Sequence, residues 1–255
     1  MTQLNPSSPT DGGTTTTTVA HAAGTLSGTV TLNSFENFVY INLPSRTDRR
    51  GRIESVLANM HVDMNKVHRV EAMSTPGLGA QGCAFSHMKA IDLALENKWN
   101  HVVIFEDDFK FSVPPEEVTK RLTAFFAAYT TEWDVLMFVG NIVTSTPSKC
   151  DGVVQAKEVL AASGYVVNQR FFATLRGVYE ASYNELSKPE CKLRKNSPPW
   201  QEMHECRPLD VLWMPAMGAA QWFVCRPGLG QQIDGFYSDI ENRPVWYHAD
   251  GDGRR

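Results

Sequence analysis

The chain has no long apolar run. Nothing approaches the roughly 20 residues that a membrane-crossing helix needs, so no membrane span is expected. Its opening residues lack a basic start followed by an apolar stretch. No secretory signal is visible there, and a cytoplasmic location is the expectation. No Asn-x-Ser/Thr acceptor with x other than Pro occurs, which agrees. There is no basic excess: the net charge is −4 and the isoelectric point about 6.0. A nucleic-acid partner is therefore not expected, because phosphate-backbone binding needs clustered positive charge. Cysteine is sparse. The five residues Cys83, Cys150, Cys191, Cys206 and Cys225 are odd in number, scattered and without a CxxC. That pattern argues against a disulfide framework and for reduced thiols. Cys191, His204 and Cys206 match no zinc-module spacing. No internal repeat is present.

What is there is a chain of 255 residues, long enough for one α/β domain with a full core. Residues 1–33 are Thr-, Ser- and Gly-rich, with a threonine run from Thr14 to Thr18. Such a composition predicts a disordered tail. Residues 249–255 read as a second loose tail, leaving 34–248 as the domain. Within it, apolar strand-like runs alternate with helical spacing. Phe38 to Leu43, Val67 to Val70, Val102 to Phe105, Val135 to Val139 and Tyr165 to Val167 read as strands. Between them, Ile53, Val56, Leu57 and Met60 lie on one helical face, as do Ala84, Met88, Ile91 and Leu95. Further helices are expected around Val118 to Tyr129 and Phe171 to Val178. This alternation predicts a mostly parallel sheet. Lys188 to Pro208 reads as a long loop.

The most informative stretch is Val102-Val103-Ile104-Phe105-Glu106-Asp107-Asp108, an apolar strand running into three carboxylates. Adjacent acids repel unless a cation or solvent holds them. In α/β sheets the carboxyl ends of strands are where ligands bind. A divalent metal site for a phosphate-bearing ligand is one reading, and a solvated acidic loop is the plain alternative. After the first strand come Pro44, Ser45, Arg46, Asp48, Arg49 and Arg50. Ser45 is placed to cap a helix whose N-terminus, with its arginines, suits a pyrophosphate. A nucleotide diphosphate bridged by Mg²⁺ or Mn²⁺ satisfies the acidic and basic corners together.

Gly77-Leu78-Gly79-Ala80-Gln81-Gly82 matches a dinucleotide fingerprint. It does not follow a strand directly, and one ribose needs one acid rather than three. A glycine-rich loop over a donor site accounts better for it than an oxidoreductase. Ser86 and His87 are adjacent on a helix and point apart, so they form no nucleophile–base pair. His87 is either a ligand contact or a satisfied structural histidine. Asp210 sits among apolar neighbours and is a candidate general base, with a helix-capping acid as the alternative. Asp239, near Gln231 and Ser238, competes with it for that role.

Three segments together resemble glycosyltransferase family 25, the lipooligosaccharide and collagen galactosyltransferases. They are Tyr40-Ile41-Asn42-Leu43-Pro44-Ser45-Arg46 with Asp48-Arg49-Arg50, then Gly82-Cys83-Ala84-Phe85-Ser86-His87, then Val103-Ile104-Phe105-Glu106-Asp107-Asp108. The resemblance implies a GT-A-type, Rossmann-like single domain and a UDP-sugar donor, galactose by default. It implies inverting transfer to a glycan or protein hydroxyl. Glu106 and Asp108 would hold Mn²⁺ or Mg²⁺, with Asp107 between them beside the donor. Asn42, Pro44, Arg46, Arg49 and His87 would line the nucleotide, and Asp210 or Asp239 would be the base. A sugar-nucleotide-binding protein without catalysis is the alternative on the same fold. Unlike the collagen-modifying members, the chain shows no signal peptide or retention signal.

Overall fold

The computed structural model describes residues 25–192, 200–233, 236–238 and 243–245. The elements in chain order are β1 (Asn37–Asn42), α1 (Thr47–Asn59), β2 (Val67–Glu71), α2 (Gly79–Glu96), β3 (His101–Glu106) and β4 (Phe109–Phe111). Then come α3 (Pro115–Ala128), β5 (Val135–Met137), β6 (Asn141–Pro147), β7 (Val153–Leu160), β8 (Gly164–Asn168) and α4 (Gln169–Leu186). The short elements α5 (Pro189–Lys192), α6 (Leu209–Leu212), α7 (Met214–Ala219), β9 (Trp222–Cys225), β10 (Gly230–Gln232), β11 (Phe236–Ser238) and β12 (Arg243–Val245) follow. Among the described residues, no helix is long and apolar enough to cross a membrane.

The core is a sheet between two helical layers. Strand side chains alternate between its faces, as the pleat requires. Val39, Ile41, Val102 and Ile104 join the cluster that also holds buried residues of α2, α4, α6 and α7. Phe38, Tyr40, Val103 and Phe105 join the cluster under α1 and α3. Each long helix contributes one apolar stripe, such as Ile53 and Leu57 from α1 or Val118, Leu122 and Phe125 from α3. The chain is thus α/β, with one large eight-stranded sheet in the order β2-β1-β3-β8-β5-β9-β7-β6.

Strands β1, β2, β3, β5, β6 and β9 point one way, and β7 and β8 the other. The sheet is mostly parallel in direction but mixed in pairing. The alternation predicts a parallel strand over Tyr165 to Val167, yet β8 pairs antiparallel with both β3 and β5. A parallel return needs a crossover of a dozen or more residues. Residues 148–152 turn the chain back between antiparallel β6 and β7, and only residues 161–163 separate β7 from β8, so β8 keeps the direction of β7 and runs against β3 and β5.

Two further expectations are corrected. The predicted tail does not extend to residue 33: Leu26, Val30 and Leu32 are buried in the α1/α3 layer, and the Val30 amide donates to Thr123 Oγ1 at 2.9 Å. The cysteines are not all thiols. Cys191 and Cys206 form a disulfide, with Cα atoms 5.4 Å apart, while Cys83, Cys150 and Cys225 are free. The disulfide removes the cysteine argument for a reducing compartment, and it agrees with the lack of a zinc-module spacing at Cys191 and Cys206.

The architecture fixes where a ligand can bind. β1 continues through α1 to β2 on one side, while β3 pairs on the other side of β1. α1 lies on one face of the sheet and α2 on the other. The strand order therefore reverses between β1 and β3, which opens a crevice beyond their carboxyl ends. Asn42 and Glu106 end those two strands.

Candidate functional site at the carboxyl ends of β1 and β3

The three acids diverge because the strand alternation continues to its end. Glu106 follows Ile104 onto the α2 face, and Asp107 follows Phe105 onto the α1 face. Asp107 is held on both oxygens. Asn42 Nδ2 donates to Oδ2 at 2.7 Å, and Arg49 Nη1 donates to Oδ1 at 3.0 Å. Asn42 Nδ2 also reaches the Arg46 carbonyl at 2.9 Å, and Asn42 Oδ1 accepts from Arg69 Nε at 3.1 Å. Asn42 thus ties the ends of β1, β2 and β3 to the start of α1.

That start differs from the expectation. Arg46, not Ser45, occupies the cap position, and no side chain caps the helix. Pro44 and Ser45 are exposed in the turn. Arg46 Nε and Nη2 both reach Asp48 at 3.1 Å. Arg50 points away to Glu54 at 3.0 Å. Of the arginines expected around a pyrophosphate, Arg49 is the one buried against the acids, 4.0 Å from Asp108 Oδ2.

Glu106 meets a cluster on the other face. Oε1 lies 3.2 Å from His87 Nε2 and 3.5 Å from Cys83 Sγ, and Oε2 accepts from Gln232 Nε2 at 3.4 Å. His87 is fully buried. Its Nδ1 is 2.8 Å from Tyr165 Oη, which is 2.7 Å from Tyr179 Oη. Sequence reasoning singles out none of Cys83, Tyr165, Tyr179 and Gln232 for this site. The i, i+4 spacing of Cys83 and His87 is the signal that could have found the first of them. The glycine-rich segment before them is not a free loop either. α2 begins at Gly79, and a Cβ on Gly82 would lie 2.2 Å from the Met73 carbonyl oxygen. Gly82 lets α2 press against the β2–α2 connection, which sets where Cys83 and His87 stand.

The electrostatics follow from this crowding. Burial pushes the Asp107 carboxyl up, against the pull of Asn42 and Arg49, and the net shift is upward. Asp108 is pushed from 3.8 up to about 7 by burial first, then by the charges of Glu106 and Asp107. Glu106 moves the other way: burial alone would raise it, but the hydrogen bond and charge of His87, with Cys83 and Arg49, bring it below its usual range. Burial, then Glu106, push the Cys83 thiol well up.

Asp108 Oδ1 is buried with no hydrogen-bond partner. An orphaned acceptor beside a carboxylate of lowered pKa fits a bound cation. The donor set is oxygen, which suits Mn²⁺ or Mg²⁺. Glu106 and Asp108 are the residues that would hold it, and Asp107 is already taken up by Asn42 and Arg49.

Asp210 lies in the first turn of α6 and is half-buried, with Oδ2 accepting from the Ala161 amide at 3.1 Å. Its charge raises the thiol of Cys83 and the phenol of Tyr179, so it borders the same cluster. Asp239, its competitor, lies outside the described residues. A separate cavity of about 640 Å³, lined by Tyr129, Lys149, Arg170 and Phe223 among others, holds none of these residues. It opens near the start of β9, at the opposite end of the sheet.

No family model matches the chain, and no curated protein matches it. Solved structures align with it over much of its length at low identity. A glycosyltransferase involved in the glycosylation of the major capsid of PBCV-1 is 11% identical, with a TM-score of 0.46, over 81% of this chain and 95% of that one. Mannose-1-phosphate geranyltransferase from Thermus thermophilus is 10% identical, with a TM-score of 0.41, over 74% of this chain and 72% of its own. A UDP-glucose pyrophosphorylase complexed with UDP-glucose is 10% identical, with a TM-score of 0.39, over 74% and 67%. Likenesses at this level say nothing of the reaction.

Proposed function

We propose that the protein is a metal-dependent inverting glycosyltransferase of GT-A type. It would move a hexose, galactose by the resemblance to family 25, from a UDP-sugar to a hydroxyl of a glycan or protein. The observation that carries this reading is the crevice itself. Asp107 is held there by Asn42 and Arg49, Glu106 lies on the other face against His87 and Cys83, and Asp108 keeps an orphaned buried oxygen. Glu106 and Asp108 would hold Mn²⁺ or Mg²⁺, whose charge would stabilise the diphosphate as leaving group. Arg49 and Asn42 hold Asp107 in place, and Arg49 adds positive charge at the phosphate side of the crevice. The sugar–diphosphate bond breaks as the acceptor oxygen forms its bond to the sugar carbon from the opposite face. Asp210 takes the hydroxyl proton, and UDP departs.

The test is a screen of UDP-sugars with and without Mn²⁺, read by melting temperature and by UDP release in the presence of a saccharide acceptor. A concentration-dependent rise for UDP-sugars that needs Mn²⁺ is expected. No stabilisation by any UDP-sugar in either condition overturns the reading. Stabilisation without release of UDP for any acceptor would instead make the chain a sugar-nucleotide-binding protein.

A further inference from the structure

Behind the acid triplet, Cys83 Sγ, His87 Nε2 and one Glu106 oxygen lie within 4.8 Å of one another. Cys83 and His87 are four residues apart in α2 and so share one face of it. Cys83 and His87 are not needed to hold a hard cation at Glu106 and Asp108. Its ligand chemistry is also different, a thiol and an imidazole rather than oxygen alone. We propose that it is a second metal site, selective for a borderline or soft divalent ion such as Zn²⁺.

The spacing supports this. Tetrahedral zinc with bonds of about 2.0–2.1 Å to N and O and about 2.3 Å to S sets its ligand atoms about 3.4 Å apart for N and O, and about 3.6 Å for S and O. The observed separations are 3.2 Å for His87 Nε2 to Glu106 Oε1 and 3.5 Å for Cys83 Sγ to Glu106 Oε1. Two edges of a coordination tetrahedron are nearly present before any ion arrives, and the third pair, Cys83 Sγ and His87 Nε2, lies within 4.8 Å. The outer shell is present too. His87 Nδ1 is bonded to Tyr165 Oη, and Tyr165 to Tyr179, so the ring is fixed with Nε2 toward Glu106. Zinc-ligating histidines are oriented by such a partner on their other nitrogen. Cys83 and Glu106 are both partly exposed, which gives an ion a way in. Water supplies the fourth position. Binding displaces the Cys83 thiol proton to solvent, the proton on His87 Nε2 leaves to solvent or moves to Nδ1, and no redox change is involved.

Glu106 serves both sites through different oxygens. Oε1 faces Cys83 and His87, while Oε2 faces Gln232. A zinc ion on Oε1 therefore abuts the donor crevice without using Asp108. The inference does not rest on sugar transfer, and the experiment separates the two.

The experiment titrates the purified chain, after chelator treatment, with Co²⁺ as a spectroscopic stand-in and with Zn²⁺. Wild type should show a sulfur-to-cobalt charge-transfer band that Zn²⁺ bleaches. X-ray absorption at the zinc edge should show one sulfur at about 2.3 Å with the remaining ligands nitrogen or oxygen. Cys83→Ser should lose the band yet keep the stabilisation by UDP with Mn²⁺. Asp108→Asn should do the reverse. Tyr165→Phe should keep the band and weaken zinc by roughly 10-fold or more. A band that survives in Cys83→Ser, or no sulfur in the wild-type zinc shell, overturns the proposal. The X-ray measurement needs no variant, so it decides the matter even if a substitution fails to fold.

Discussion

Asp108 is the residue on which the candidate site turns, because its two properties pull in opposite directions. Its Oδ1 is buried and orphaned, and its carboxyl is pushed up from 3.8 to about 7. In metal-free protein the folded state keeps a proton that the unfolded chain has released between about pH 4 and 7. Stability is therefore present below that window and is lost as pH rises through it. Asp108→Asn removes this penalty. In chelator, its melting temperature should exceed wild type at about pH 8, with the gap closing toward acid pH. A constant gap across pH would show that Asp108 does not carry the proton. The same variant should lose the Mn²⁺-dependent stabilisation by UDP, measured by calorimetry, and unchanged metal-dependent affinity would remove Asp108 from the metal site. Asp210 has a different expected signature. An asparagine can still accept from the Ala161 amide, so Asp210→Asn should fold normally. It should lower kcat by roughly 10²- to 10⁴-fold with donor affinity nearly constant. Turnover near the wild-type rate would return Asp210 to a purely structural role at α6, and a dead Asp239→Asn that still binds donor would then make Asp239 the base. The acids are legible in the sequence because charge directly after a buried strand is costly without a reason. What each acid touches is legible only in part. Strand alternation alone sends Glu106 and Asp107 to opposite faces, whereas Tyr165, Tyr179 and Gln232 come from strands and helices far along the chain.

At the scale of elements, α1 and α2 do the positioning, each by a contact that propensity alone does not reveal. The sequence predicts α1 as a Ser45-capped helix presenting arginines to a phosphate. In the fold its N-terminus has no side-chain cap, and the first turn is anchored by Arg49 on Asp107. Removing one partner of a buried pair leaves the other charge uncompensated. Arg49→Ala should therefore cost about 3–5 kcal/mol, read by denaturant unfolding. Arg46→Ala, whose partner Asp48 is exposed, should cost about 1 kcal/mol or less. Equal losses would mean that Arg49 does not tie α1 to β3. α2 poses the opposite question at Gly82. Helix propensity favours alanine there by about 1 kcal/mol. The close approach of the Met73 carbonyl opposes it, since a Cβ would sit 2.2 Å from a backbone oxygen. Backbone cannot swing aside as a side chain can, so overpacking should win. Gly82→Ala is expected to destabilise by about 1–3 kcal/mol. A rise in melting temperature would show that the β2–α2 connection yields freely. The glycine pattern in the sequence signals that something there needs room. It does not say whether the occupant is a ligand phosphate or the protein's own carbonyl.

For the whole molecule, local periodicity foretells the four long helices and strands β1, β2, β3, β5 and β8, because each is a one-dimensional pattern of a period that one layer imposes, while β6, β7 and the buried β9 go unread. Pairing direction is not foretold for β8, since that depends on how few residues lie between β7 and β8 rather than on composition. The disulfide between Cys191 and Cys206 escapes the sequence for a related reason: a separation of 15 carries no motif, and only the path of the chain brings the two together. The N-terminal boundary escapes it because three apolar residues diluted among Thr, Ser and Gly lower the average without losing their own burial. Leu26, Val30 and Leu32 are 5%, 1% and 5% exposed and belong to the same cluster as Phe35, Leu122 and Phe126. Burying each such side chain contributes about 1.5–3 kcal/mol. Deleting all three thus removes about 5 kcal/mol or more, and the Thr123 hydroxyl also loses its contact with Val30. A typical domain has only about 5–15 kcal/mol in all. A chain starting at Ser34 should therefore melt well below one starting at Thr25, by about 10 °C or more at this size, or fail to fold. The two differ only in residues 25–33, so the comparison isolates that segment. Matching melting temperatures would mean that residues 25–33 rest on the α1/α3 layer without holding it together.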